Sequence, residues 1–144
     1  MKSIHSLFVV IGLCAISKVS AQITDSSFIK SSLVNTDSVY TKPDVYPQFP
    51  GGEKKWNEYI QKQIVDHLPY LIDDPFSNGV CVFKFIIGTD GSVIAAEPQN
   101  MHNSELAKIF KKALLKGPKW IPAQVNGINV KCVRMQNVTF YKPQ

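Results

Sequence analysis

The sequence predicts an α+β domain: a small antiparallel β-sheet of about three strands with two helices packed on one face. Three observations carry that expectation. GVCVFKFIIGTDGSVIAAEPQ holds two β-rich runs joined by an Asp-Gly turn. An amphipathic helical stripe stands on either side of that pair, and a long β-rich run closes the chain. The order helix, hairpin, helix, strand suits a sheet with its helices gathered on one side.

Residues 22–45 are rich in Ser, Thr and Asp and read as a flexible lead-in. Alternation within Ser26–Tyr40 would also suit a lone strand added to a sheet edge. From Glu53 to about Asp66, Trp56, Tyr59, Ile60 and Ile64 recur on one helical face, with Glu58 and Lys62 four residues apart. Pro69, Pro75 and Asn78-Gly79 mark a loop. The hairpin pairs Val80–Ile87 with Ser92–Glu97 around Gly88-Thr89-Asp90-Gly91. Cys81, Phe83, Phe85 and Ile87 share one face, and Val80, Val82, Lys84 and Ile86 the other, which is apolar enough to expect a cover. A second helix runs Ser104–Lys116, capped by Asn103 or Ser104 and ended by Gly117-Pro118, with Leu106, Ile109, Phe110, Ala113 and Leu114 as its stripe. Trp120-Ile121-Pro122, an Asn126-Gly127 turn and the run Ile128–Tyr141 complete the β regions.

Ahead of all this stands MKSIHSLFVVIGLCAISKVSAQ. A basic start, an apolar run of about ten residues and the small-residue site Val19-Ser20-Ala21 form a secretory signal layout, too short to span a membrane. A lipid-modified Cys14 is disfavoured by its bulky neighbour Leu13. The expected organisation is a signal peptide at 1–21, the lead-in at 22–45 and a domain at 46–144, with export to the periplasm and retained membrane association as the alternative. Removing residues 1–21 removes Lys2 and Lys18, leaving 14 basic and 11 acidic residues, net +3. Such a mild excess does not call for nucleic acid.

No residue pattern points to catalysis. Gly51-Gly52 before a helix with Lys54 and Lys55 has neither phosphate-loop nor dinucleotide spacing. Cys81 and Cys132 sit inside strand-like runs and read as free buried thiols. His67 and His102 lack metal-ligand spacing to them. Asp73-Asp74 and Asp90 suit turns. The expectation is a protein that is not an enzyme and takes no cofactor or metal. Lys108, Lys111, Lys112, Lys116 and Lys119 read as a solvated helix face or as a docking patch for an acidic partner or anionic envelope surface. An edge position for the last strand would leave backbone groups to accept another strand, while Lys131, Arg134 and Asn137 would equally blunt it.

Taken in order, FPGGE at Phe49–Glu53, GVCVFKFIIGTDGSV at Gly79–Val93, the helix Ser104–Lys116, GPKWIPA at Gly117–Ala123, NGINVKC at Asn126–Cys132 and Val138-Thr139-Phe140 resemble the C-terminal domain of the TonB energy-transducer family. FPGGE resembles the Bacteroidetes-type version, where it starts the first helix. The resemblance covers roughly residues 46–141. It implies a periplasmic interaction module for TonB-dependent transport across the outer membrane. Such a module grips an extended transporter segment, the TonB box, by adding it as a strand beside the last strand, here about Val130 to Phe140. The partner-binding edge is then Val130, Cys132, Arg134, Gln136, Val138 and Phe140. The other reading is a secreted envelope structural protein that homodimerises through the same sheet edge.

Overall fold

The computed structural model describes residues 34–143. The signal peptide expected at 1–21 and the first part of the lead-in lie outside the described residues. The element order is β1 (Val39–Tyr40), α1 (Gly52–Asp66), α2 (Leu68–Asp73), β2 (Gly79–Ile87), β3 (Val93–Pro98), α3 (Glu105–Lys116), β4 (Ala123–Val125) and β5 (Ile128–Phe140).

The α+β class holds, with more elements than expected. Five strands form the sheet, in the order β1-β5-β2-β3 with β4 added to β5, where about three were expected. The sheet is not wholly antiparallel, because β1 runs parallel to β5, pairing Val39 with Lys131 and Tyr40 with Cys132. The third helix, α2, stands where a loop was expected. Pro69 lies in its first turn, where a missing N–H costs nothing.

The lead-in is also corrected from Val34 onward. Val34 is buried with Ala123, Val130 and Cys132, and Val45 and Gln48 bridge to Gln124 and Ile121. The Asp44 carboxylate accepts from the Asn126 N–H at 2.7 Å. The folded domain therefore begins before residue 46.

α1 opens on Gly51 and Gly52, whose φ angles of +82° and +78° are ones a side chain rarely adopts. The Gly52 N–H donates to the Phe49 carbonyl at 2.8 Å, turning the chain into the helix. The turn drives Phe49 against Trp56 and Trp120, with ring centroids 5.2 and 5.4 Å apart. Phe110 of α3 packs edge-on to Phe83 of β2 at 4.7 Å. Cys81, Phe83, Phe85 and Ile87 are all fully buried, so this is the face that the long helices cover. On the other face Val80 and Met135 are exposed, and Val82, Ile86 and Val133 are half-buried.

Three side chains satisfy the first N–H groups of α3. Asp74 accepts from Glu105, Ser77 from Leu106 and Ser104 from Ala107, at 2.7, 2.9 and 3.0 Å. Ser104 is the expected cap; Asp74 and Ser77 arrive from the α2–β2 connection.

Candidate functional site: the outer edge of the last strand

β5 is the longest strand, 13 residues, and its two halves are bordered differently. β4 pairs with Ile128–Val130, and β1 with Lys131 and Cys132. From Cys132 to Phe140, β5 pairs with β2 in continuous register, Cys132 with Ile87 through Phe140 with Gly79. Among the described residues no strand borders the other side of Val133–Phe140. Alternate residues of that stretch therefore turn their N–H and C=O away from β2, which is the hydrogen-bonding surface a further strand needs.

The register decides what each expected edge residue contributes. Gln136 lies opposite Phe83 and Arg134 opposite Phe85, so the even-numbered side chains of β5 point to the core face. Val130, Cys132, Val138 and Phe140 are buried. Arg134 and Gln136 are half-buried and occupied: the Arg134 guanidinium donates to the Pro47 carbonyl at 3.1 Å and lies 5.1 Å from the Trp120 ring centre. Gln136 accepts from Trp56 Nε1 at 3.1 Å and donates through Nε2 to the Asn137 carbonyl at 2.9 Å. Val130 and Cys132 are already bordered by β4 and β1, and Arg134, Gln136, Val138 and Phe140 turn their backbone groups toward β2, because Val80 and Val82 spend theirs on the β3 side, on Gln99 and Asn100. The six expected residues are therefore not the binding groups of the edge; the outward N–H and C=O belong to their odd-numbered neighbours. Val133, Met135, Asn137 and Thr139 carry the side chains of the opposite face.

Two hollows flank the unpaired edge. One of about 590 Å³ lies at its start, between Thr41, Tyr46 and Pro47 of the lead-in and Val133, Arg134 and Met135 of β5. Another of about 280 Å³ lies toward its end, between Trp56, Ile60 and Ile64 of α1 and Gln136–Thr139 of β5. A strand laid along the edge would run past both hollows, with side chains alternating along it. Val133, Met135 and the lead-in wall are parts of this arrangement that the sequence reasoning passed over. The apolar alternation at Val130, Cys132, Val138 and Phe140 marks those positions as core-facing, and hence their odd-numbered neighbours as the opposite face.

The lysines do not form one patch. Lys108 pairs with Glu105 at 2.6 Å, Lys111 with Glu97 at 2.9 Å and Lys119 with Asp90 at 2.7 Å. Lys119 and Ser92 bonds hold the Asp90 carboxyl well below the usual range. Lys108, Lys112 and Lys116 share one groove, between α1 and α3.

Cys81 and Cys132, the cysteines among the described residues, are buried and free. Burial pushes the Cys81 thiol up to about 11. Burial also raises Cys132, against a smaller opposing pull from Arg134. Cys132 pairs with Ile87, six residues along β2 from Cys81, which separates the thiols by roughly 20 Å along the strand and rules out a bridge within this fold.

The arrangement is that of an α+β domain whose longest strand leaves the outer side of Val133–Phe140 unpaired among the described residues. Scans against family models, curated proteins and solved structures each return no match for the chain.

Proposed function

We propose that the protein is a periplasmic, TonB C-terminal-like interaction module that binds an extended segment of an outer-membrane transporter, or of a related envelope protein, as an added strand beside Val133–Phe140. The observation that carries this reading is the unpaired outer edge of β5, with one hollow at its start and another toward its end. Backbone pairing supplies affinity without demanding one sequence, and alternate side chains in the hollows supply selectivity. The ordered motifs from FPGGE to Val138-Thr139-Phe140 support the TonB-like assignment, and the N-terminal signal layout supports export. The function needs no catalytic group or cofactor.

Titrating the full chain with N-terminal box peptides of transporters from the same host, followed by amide NMR, tests the reading. Shifts and new exchange protection concentrated along Val133–Phe140 are expected. Met135→Lys, an exposed position, should weaken binding about tenfold with little change in stability. An absence of shifts at millimolar peptide defeats the proposal. If the mass also doubles with concentration, the edge serves homodimerisation in an envelope structural protein instead.

A further inference from the structure

α1 and α3 enclose a groove of about 370 Å³ that the strand edge does not use. Its walls are joined by the Tyr59 hydroxyl, which donates to the Ala113 carbonyl at 2.9 Å. That bond fixes the spacing of the helices, so the groove is formed before anything binds. Tyr59, Ile109 and Ala113 give it an apolar floor, and Gln63 offers an amide from the α1 wall. Along the α3 wall stand Lys108, Lys112 and Lys116, each four residues from the next. Glu105 holds Lys108, but Lys112 and Lys116 have no carboxylate partner among the described residues. Three ammonium groups against one carboxylate leave the groove at net +2.

We propose that this groove is a second interaction site, taking an acidic peptide segment in extended conformation. Three features select that occupant. The charge is arranged as a row rather than a cluster. Four helical residues rise about 6 Å, and alternate side chains of an extended chain repeat every 6.5–7 Å or so, so carboxylates at i and i+2 of the ligand meet Lys112 and Lys116 together. The volume holds roughly three residues of extended chain, less than a helix and within the usual size of a ligand cleft. The apolar floor takes the intervening side chain. An anionic membrane would instead favour a flat, outward-facing basic surface, and here Lys111 and Lys119 are turned aside to Glu97 and Asp90.

The test titrates the full chain at low ionic strength with acetylated Glu-Val-Glu-Val-Glu amide, with its Gln-for-Glu counterpart, and with phosphatidylglycerol vesicles. The acidic peptide should shift the amides of Tyr59, Gln63 and Lys112–Lys116 while leaving Val133–Phe140 unmoved, which separates this site from the strand edge. Joint Lys112→Gln and Lys116→Gln substitution, both at exposed positions, should weaken binding at least about tenfold, and added salt should weaken it too. Equal binding of the Gln peptide, or no saturable shift at several millimolar acidic peptide, overturns the proposal. Lysine-dependent vesicle binding without peptide binding also overturns it, assigning the groove to lipid.

Discussion

The two edges of the sheet are built on opposite principles. The β3 edge is short, six residues, and ends in Pro98, which has no N–H to offer another strand. The register slips at Ile86/Ile87, opposite the start of β3. Glu97 on that edge is tied to Lys111 of α3. Each feature discourages further pairing. The β5 edge is long and continuous in register, and it ends in no proline. One sheet thus closes one side and leaves the other open, and the open side is where a partner strand is expected. The closed edge should be costly to break where backbone and caps hold it, and cheap where only surface charge does.

The largest effect is expected at Gly91, in the turn that leads into β3. Its φ is +84°, its carbonyl accepts from the Trp120 N–H at 2.8 Å, and an added Cβ would fall 1.9 Å from the Trp120 carbonyl oxygen. Gly91→Ala must move the turn or Trp120, so a loss of about 3 kcal/mol or more is expected in urea unfolding. Near-normal stability would show that the turn is free of Trp120.

A smaller effect is expected at Asp74, which caps the helix packed along β3. Burial pulls its carboxyl upward, but bonds from Ser77, the Glu105 N–H and the Phe76 N–H outweigh it, and the net shift is downward. Asp74→Ala should cost about 1–2 kcal/mol at neutral pH. A carboxylate depressed in the folded state stabilises fully above its unfolded value, near about 4, and loses that contribution as pH falls through the folded value. Wild type and variant should therefore converge in acid. A gap independent of pH would mean that the carboxylate charge is not what caps α3.

Much of this closed edge was legible in the sequence. Asp90-Gly91 announced the hairpin, Ser104 the cap, and the odd-numbered residues of β2 the core face, because each signal is local. What escaped depends on partners distant in sequence. Alternation within Ser26–Tyr40 suits a lone edge strand, but the place and parallel direction of β1 come from Lys131 and Cys132, which receive it. The lysines separated because Glu97 and Asp90 lie in the hairpin, far from α3 in the chain. Pro69 reads as a loop signal until the first-turn position that tolerates it is known. The alternation along β5 does not by itself tell which residues of the strand turn their backbone groups inward to the sheet and which outward. Pairing with β2 turns Cys132, Val138 and Phe140 inward, β4 receives Val130, and the outward backbone is left to Val133, Met135, Asn137 and Thr139.

The smallest effect is expected for the ion pair on the closed edge. Glu97 and Lys111 meet at 2.9 Å, with side chains 65% and 41% exposed. Water screens such a pair, and replacing both residues with Gln should change stability by no more than about 0.5 kcal/mol. Their service is to keep charge on an edge that would otherwise present apolar Ile94, which is exposed, beside free backbone. Sedimentation at rising concentration should then show the double variant associating more than wild type, with stability unchanged. Identical sedimentation would mean that the short strand and Pro98 close the edge alone, and that the difference between the two edges lies in backbone rather than charge.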